Sequence, residues 1–257
     1  MFLCVVSHIH SISKDTHVSL NVIFTIPEGE TAKDYTDKFY AASKAANKSI
    51  YYGFATNGNK LMCRQGYRNS EDFFAYIKLV VSGQLSAGLE DVTILISGPP
   101  QELDKIRPKV TRLPAKITFA ELDGDNIMLG SRPESSPDTH VTILPEFTVP
   151  QGRMEEFNAV KEKFYSAAKN GTKECLYYGF AVAGDKVWCR EGYTGSRGVL
   201  EHIAEVIKPM NKLLNIVGGS GVKLNIVGPV SELNKLKRLF SHHNADFWEL
   251  DSRAYWK

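Results

Sequence analysis

The runs Tyr51-Tyr52-Gly53-Phe54-Ala55 and Tyr177-Tyr178-Gly179-Phe180-Ala181 are identical, and they lie in two halves of one chain. Each is followed by a second matched run, Cys63-Arg64-Gln65-Gly66-Tyr67 in the first half and Cys189-Arg190-Glu191-Gly192-Tyr193 in the second. In each half the two runs are dense in aromatic and small apolar residues and are separated by a short segment that contains glycine, a pattern typical of a β-hairpin. The chain of 257 residues therefore contains one hairpin-bearing unit twice.

The rest of the repeat keeps the same order. Upstream of the hairpins, Phe24-Thr25-Ile26-Pro27-Glu28-Gly29 matches Phe147-Thr148-Val149-Pro150-Gln151-Gly152. Between the halves, Ser-Arg-Pro-Glu-Ser-Ser-Pro-Asp at 131–138 has the proline and small polar residues of a linker. We predict a first half over 15–125, a linker over 126–138 and a second half over 139–257, each half having the length of an ordinary domain.

The second half shows the order of elements most clearly. An apolar, β-branched strand is followed by an amphipathic helix, the hairpin, a second amphipathic helix and a fourth strand; a short helix and a last strand complete the half. Pro209 falls inside the second helical pattern, where a kink or break is expected. The order β-α-β-β-α-β is the ferredoxin-like arrangement, so the predicted fold class is α+β, with two tandem ferredoxin-like domains.

Both faces of the hairpin strands are apolar. In the second half one alternating set includes Tyr178 and Phe180, and the other includes Tyr177 and Ala181. A sheet covered by helices on one face only would have a polar second face, so a second cover is expected. The other half of the same chain can supply it. We therefore predict an intramolecular, pseudo-dimeric α+β barrel, either monomeric or associated as a homodimer.

Composition narrows the class of protein. Hydrophobic residues make up 43% and charged residues 23%, and 31 basic residues against 29 acidic ones give a net charge of +2. These values indicate a soluble globular protein and give no electrostatic case for nucleic acid, and no apolar run is long enough to span a membrane. The four cysteines lack metal or redox spacing, which favours buried thiols in a reducing, cytoplasmic setting. The apolar segment 1–6 is expected to form an extra strand or an ordered arm.

Several motifs resemble one known family. Phe147 to Arg153, with Phe157 beyond it, resembles the first strand and helix start of the antibiotic-biosynthesis-monooxygenase-like family, whose fold is the dimeric α+β barrel. Arg190 to Tyr193, with His202 on the next helix, is similar to that family's Glu-x-Tyr/Trp and His segment, and the run from His140 resembles members that act on small carbonyl compounds. The resemblance implies a small-molecule protein that works without a metal or organic cofactor.

The candidate catalytic residues lie in the second half. His202 is predicted to act as general base and Glu191 to orient it, since an imidazole titrates near neutral pH. Packing of His202 at the edge of the helix and a structural ion pair for Glu191 are the alternatives. The first half has Gln65 at the position of Glu191. The residues predicted to bind the substrate are Tyr177, Tyr178, Trp188, Arg190, Tyr193 and His140.

Other roles are open for these binding residues. The aromatic side chains could fill a barrel core, Arg64 and Arg190 could pair with Glu121 or Glu249, and His17 and His140 are expected at a sheet edge. We predict a small hydrophobic ligand or substrate, no metal site, and a cofactor-independent monooxygenase or isomerase that acts on a small aromatic or carbonyl compound. The alternatives are a non-catalytic ligand-binding or structural barrel and, less favoured, a haem-handling protein.

Overall fold

The computed structural model of the chain describes residues 13–83, 89–128, 136–171 and 174–257. Segment 1–12, including Cys4 and the apolar segment expected to form a strand or an arm, lies outside the described residues. In the first half, with the start of the linker, the strands are β1 (Ser13–Lys14), β2 (Val18–Thr25), β3 (Ser49–Asn57), β4 (Lys60–Tyr67), β5 (Glu90–Gly98), β6 (Lys116–Leu122) and β7 (Ile127–Met128). Its helices are α1 (Ala32–Ala46), α2 (Ser70–Ser82) and α3 (Pro100–Val110).

The second half has the same order of elements. From the end of the linker onward the strands are β8 (Ser136–Pro137), β9 (Val141–Thr148), β10 (Cys175–Ala183), β11 (Lys186–Tyr193), β12 (Val222–Gly228), β13 (Ala245–Leu250) and β14 (Tyr255–Trp256). Its helices are α4 (Met154–Asn170), α5 (Ser196–Val217) and α6 (Val230–Lys237). The predicted order of strands and helices is thus present in the described residues.

Helix α5 continues through Pro209 as one helix, so of the kink or break expected there the break is not found. Proline has no backbone N–H, so Pro209 cannot donate the i→i−4 hydrogen bond of the helix. Pro209 itself is half-buried. The buried side chains on both sides of the proline, among them Val206 and Leu213, keep the helix packed on the sheet.

Ten strands close into a barrel in the order β10-β11-β9-β12-β13-β3-β4-β2-β5-β6, with β6 returning to β10. Two short seams join the halves. At one seam Glu249 and Leu250 pair with Thr56 and Ala55, and at the other Leu122 and Glu121 pair with Ala181 and Val182. The second cover predicted for the apolar hairpin strands is therefore the sheet of the other half.

Alternation along the strands separates two environments. Tyr52, Phe54 and Cys63 belong to the core between the first-half sheet and its helices, and the corresponding core of the second half contains Tyr178 and Cys189. Neighbouring residues on the same strands, such as Tyr51 and Tyr177, face the inside of the barrel instead. Cys63, Cys175 and Cys189 are free and buried, as predicted.

Short arms exchange between the halves. β7, which follows the first half, pairs with β10 of the second half, and β14 at the end of the second half pairs with β3 of the first. β1 pairs with β7, and β8 pairs with β14. The described ends of the predicted linker are therefore parts of the sheet.

Two glycines make room for the tyrosines inside the barrel. A Cβ at Gly66 would lie 2.4 Å from the ring of Tyr51, and a Cβ at Gly192 would lie 2.3 Å from the ring of Tyr177. Non-bonded carbon atoms do not approach this closely, so each ring occupies space that is free because its neighbour is glycine. The repeated Gly-Tyr endings of β4 and β11 thus have a packing reason.

Candidate functional site

A cavity of about 100 Å³ lies between the sheet and the helices of the first half. An apolar cavity of roughly 150 Å³ is large enough to bind benzene, so this space is of the order of one small ring. Its walls are apolar over nearly their whole extent. They are formed by Leu20, Val22, Phe24, Phe39, Phe54, Phe73, Ile77, Val80, Val81, Leu89, Val92, Ile94, Ile96, Val110, Leu113, Pro114, Ala115 and Ile117, with Cys63, Gln65 and Tyr76.

The difference in length between α2 and α5 explains why the cavity is in this half. Helix α2 has 13 residues and α5 has 22. The last turns of α5 bring Leu213, Ile216 and Val217 into the second-half core. Helix α2 ends at Ser82, soon after Val80 and Val81, which line the cavity, so within the described residues it adds no turns that match these.

The polar residues of the cavity are hydrogen-bonded to one another. The Gln65 amide donates to Cys63 Sγ at 3.0 Å, and the Tyr67 hydroxyl donates to the Gln65 carbonyl. The hydroxyl oxygens of Tyr76 and Tyr52 lie 2.9 Å apart. Burial raises the pKa of Cys63 to about 12 and the pKa of Tyr76 well above its ordinary value, so both are protonated and neutral near pH 7.

The corresponding positions of the second half carry two ionisable groups. Glu191 replaces Gln65, and His202 replaces Tyr76. The Glu191 carboxylate accepts a hydrogen bond of 2.7 Å from Tyr193, but it is buried, and desolvation raises its pKa to about 7. A carboxyl group with this pKa exists in both protonation states at neutral pH, which suits a proton donor or acceptor.

His202 is also buried, and neither of its ring nitrogens has a hydrogen-bond partner among the described residues. Its ring lies 4.9 Å from the Tyr178 ring and 5.8 Å from the Tyr193 ring, measured between centroids. Desolvation lowers the pKa of His202 to about 4, so the imidazole is neutral at pH 7. The expected hydrogen bond from Glu191 to His202 is absent from this geometry, and the titrating group near neutrality is the carboxyl.

The residues predicted to bind the substrate divide between the two faces of the sheet. Tyr178 and Tyr193 lie on the helix side with Glu191 and His202. Tyr177, Trp188, Arg190 and His140 lie on the other face, inside the barrel. Because successive strand residues point to opposite faces, the structure brings these residues together as two sets and not as one pocket.

Inside the barrel, each arginine is held by the other half of the chain. Arg64 donates to Asp138 at 2.9 Å and to Thr142 at 2.8 Å, and Arg190 donates to Asp15 at 3.2 Å. The pairings with Glu121 or Glu249 that the sequence left open are wrong, because those carboxylates pair with Arg107 and Lys237. A buried guanidinium requires a nearby counter-charge, and the exposed ends of β6 and β13 do not provide one.

His17 and His140 lie beside these arginines and not at a sheet edge, which corrects that expectation. Each donates a hydrogen bond from Nδ1 to the carboxylate of the aspartate two residues before it, at 2.5 Å. Both imidazoles are buried, and Tyr51, Tyr177 and Trp256 pack around them. The sequence signal for this arrangement is the repeated Asp-x-His at 15–17 and 138–140, which the sequence analysis did not use.

The cavity was not predicted from the sequence, whose motifs pointed to a site in the second half. The available signal was the shorter helical pattern after the first hairpin. Within the described residues there is no group of three or more His, Cys, Asp or Glu side chains arranged to hold a metal ion. In that part of the chain no helix combines the length and the apolarity needed to cross a bilayer.

Comparison with known proteins gives structural matches only. No family model and no curated protein matches the chain. A monooxygenase candidate from Fusobacterium nucleatum matches with a TM-score of 0.57 and 10% identity, over 81% of this chain and 90% of that one. A monooxygenase candidate from Lactobacillus acidophilus matches with a TM-score of 0.52 and 12% identity, over 82% and 92%. MupZ from Pseudomonas fluorescens is 26% identical over 44% of this chain and 91% of MupZ, with a TM-score of 0.40.

The two matches with the higher TM-scores extend over about four fifths of the chain and so include parts of both halves. At 10% and 12% identity they establish a shared fold and no shared chemistry. This fold agrees with the resemblance carried by the strand and helix motifs. The chain therefore has the α+β barrel fold of these two matched structures.

Proposed function

We propose that the chain binds a small, uncharged, largely apolar molecule in the first-half cavity. The observation that carries this proposal is the composition of the cavity wall, in which the only polar side chains among the described residues are Cys63, Gln65 and Tyr76. A charged ligand would lose its hydration there without gaining a counter-charge, which costs several kcal/mol. An uncharged ring loses no such hydration and gains the burial of its apolar surface.

The polar end of the cavity, formed by Gln65 and Tyr76, favours ligands that carry one oxygen over purely hydrocarbon ligands. The Tyr76 hydroxyl and the Gln65 amide can exchange a hydrogen bond with one hydroxyl or carbonyl oxygen of a ligand. Neither group titrates near neutral pH, and the Cys63 thiol stays protonated. The first half is thus suited to binding and not to proton transfer.

The test uses phenol and benzene as probes, with thermal unfolding as the readout. Phenol should raise the melting temperature more than benzene does in the wild type, because only phenol has an oxygen for the polar end of the cavity. Tyr76→Phe should remove the preference for phenol, and Val80→Phe, which fills the cavity, should abolish both shifts. Ile207→Phe adds the same kind of bulk at an exposed site on α5 and is the matched control. Equal shifts for Val80→Phe and wild type contradict the proposal.

A second candidate function is acid–base chemistry in the second half, of the kind a cofactor-independent monooxygenase or isomerase uses. Two observations favour it: within the described residues the ring nitrogens of His202 have no hydrogen-bond partner, and Glu191, which shares the neighbour Tyr193, titrates near neutrality. In this proposal Glu191 takes a proton from a weakly acidic C–H or O–H group, and neutral His202 hydrogen-bonds to the substrate oxygen. These roles differ from those expected from the sequence, since the pKa of His202 is too low for a base at pH 7.

Deuterium exchange into 1-indanone tests this second candidate, since its acidic α-hydrogens exchange with D₂O when a base removes them. The wild type should accelerate exchange above the buffer rate, and Glu191→Gln should return it to that rate. Glu201→Gln changes an exposed carboxylate on α5, the helix that carries His202, and should leave the acceleration intact. Acceleration that survives in Glu191→Gln rules out this role for the carboxyl.

We also propose that the two halves, 15–125 and 139–257 with the linker 126–138, are tandem ferredoxin-like domains that form a pseudo-dimer. Support comes from the matched element order and from the reciprocal positions of Arg64 and Arg190. Fusion keeps the two sheets together at any protein concentration, which a dimer of separate chains does not do. The free, buried cysteines are in keeping with a cytoplasmic location.

A further inference from the structure

The first-half cavity runs along the strands of its sheet and has two different ends. The strand register places Gln65 beside Leu20 and Ile96, in one row across β4, β2 and β5. From that row the cavity residues of β5 continue through Ile94 to Val92. Val92 is four residues from Ile96, and four residues of a strand span about 13 Å, so the two ends are well separated.

The end at Gln65 is polar and closed. Tyr76 reaches it from α2, because its hydroxyl oxygen lies 2.9 Å from that of Tyr52, the strand partner of Gln65. Beyond this end Tyr67 donates to the Gln65 carbonyl and packs against Phe73 at 5.7 Å between ring centroids, and both rings are buried. A ligand oxygen at this end is therefore shielded from water and lies next to a hydroxyl and an amide.

The other end is apolar and reaches the protein surface. Helix α2 connects the end of β4 to the start of β5, so its last turn lies at the Val92 end of the cavity. In that turn Val81 lines the cavity and is 55% exposed. Val92 and Ala115, which also line it, are half-buried, whereas Ile96 is buried. We call this end, defined by Val81, Val92 and Ala115, the mouth.

The difference between the ends sets the orientation of a ligand that has one polar group. The Gln65 amide donates to Cys63 Sγ, and sulfur is a weaker acceptor than oxygen. An oxygen placed at the closed end therefore gains hydrogen bonds with Gln65 and Tyr76, while a hydrocarbon tail fills the space toward the mouth. In the opposite orientation the tail would lie against the amide and the hydroxyl, and the oxygen would gain no partner from the side chains of the mouth.

We propose that the ligand of this cavity is an elongated, uncharged amphiphile, such as an unbranched alcohol, aldehyde or ketone, with its oxygen at Gln65 and Tyr76 and its tail at the mouth. The proposal rests on the function proposed above, binding of a neutral apolar molecule in the first half, and adds the shape and orientation of that molecule. Within the described residues no cationic side chain lines the cavity, so a carboxylate at the closed end would lose its hydration without gaining a counter-charge. A fatty-acid anion of the same length is therefore a poor ligand in this orientation.

Affinity should increase with the length of the tail as far as the mouth. Burial of one more methylene group strengthens binding about fourfold, so the dissociation constant should fall about fifteenfold from 1-butanol to 1-hexanol. Octanoate should bind at least about tenfold more weakly than 1-octanol, because its charged group cannot occupy the closed end.

Intermolecular nuclear Overhauser effects between 1-octanol and the methyl groups of the full chain test the orientation directly. The methylene protons next to the hydroxyl should contact the methyl groups of Leu20 and Ile96, and the terminal methyl protons should contact those of Val81 and Val92. The reverse pattern overturns the proposal. Octanoate that binds as tightly as 1-octanol also overturns it, since the charged group then lies in water at the mouth.

A substitution at the mouth tests the position of the tail. Val81→Ser removes apolar surface at an exposed position and should weaken 1-octanol binding at least about threefold. Phenol binding should stay unchanged, because phenol ends short of the mouth. Ile207→Ser on α5, where Ile207 is also 55% exposed, is the matched control and should change neither affinity. Unchanged 1-octanol binding in Val81→Ser contradicts the proposal.

This proposal and the proposed function of the first half fail in different ways. If phenol shifts the methyl resonances of the cavity but 1-octanol binds no better than octanoate, the elongated ligand is wrong and the neutral apolar site stands. If neither phenol nor 1-octanol perturbs those resonances, the function proposed for the first half is wrong as well.

Discussion

Replacing Glu191 with glutamine should stabilise the protein above neutral pH and change little in acid. Glutamine is neutral at every pH and has nearly the shape of glutamate. The first half shows that this fold accepts it, because Gln65 at the matching position accepts the hydrogen bond from Tyr67 just as Glu191 accepts one from Tyr193. The change therefore removes a titrating proton and leaves the local packing as it is.

The size of the effect follows from the pKa of Glu191, which burial raises from 4.5 to about 7. Below pH 4.5 the group is protonated in the folded and the unfolded chain and contributes no pH dependence. As the pH rises to about 7 the unfolded chain ionises first, so the folded state loses about 3 kcal/mol, at about 1.4 kcal/mol per pKa unit. Glu191→Gln should restore most of this lost free energy of unfolding. For a chain of this size, that corresponds to a rise of about 6 to 10 °C in melting temperature.

Urea unfolding at about pH 4.5 and about pH 8 measures the difference in stability between variant and wild type on either side of this range. The difference should be near zero at the lower pH and about 3 kcal/mol at the higher one. Gln65→Glu is the reciprocal change and should introduce a similar penalty above neutral pH. A difference that is the same at both pH values, or a variant less stable than the wild type at pH 8, would refute the reasoning.

Three further predictions concern packing and buried charge. Gly192→Ala should lower the stability of the protein by about 1–3 kcal/mol, because the new Cβ would collide with the Tyr177 ring. Gly124→Ala has open space around it and should leave the stability, measured by thermal unfolding, nearly unchanged. His202→Phe should be neutral or stabilising at pH 7 if both ring nitrogens lack partners, and a loss of more than about 1 kcal/mol in urea unfolding would show that they are hydrogen-bonded. Arg64→Met should lower the free energy of unfolding by about 3–5 kcal/mol, since it leaves Asp138 buried without its arginine. Arg107→Met, which removes an exposed ion pair, should lower it by about 1 kcal/mol or less. Equal losses for the two variants would contradict the assigned burial.

The fold could be predicted from the sequence because its information is local and is repeated. The two Tyr-Tyr-Gly-Phe-Ala strands and their helical neighbours have clear periodicity, and the apolarity of both strand faces required a second sheet. The course of α5 through Pro209 differed from expectation, since burial on both sides of the proline outweighs one lost hydrogen bond. Periodicity alone does not reveal such a balance.

The sites depended on long-range contacts that no local pattern records. Arg190 binds Asp15, far away along the chain, so the sequence pattern of β11 gave no indication of its partner. The cavity borders α2, which is shorter than α5, and a difference in helix length leaves only a weak sequence signal. The difference between Gln65 and Glu191 was visible in the sequence, but the pKa that gives it chemical meaning depends on the burial of Glu191 in the folded protein.

The proposal that the first half binds a neutral apolar molecule can be tested most directly by a phenol titration monitored through methyl NMR. Saturable shifts are predicted for the methyl groups of Ile77, Val80 and Ile94, which line the cavity. The matched second-half methyls of Ile203 and Val206 should not respond. Shifts of equal size in both halves, or none at the cavity methyls at phenol concentrations that saturate the thermal response, would contradict it.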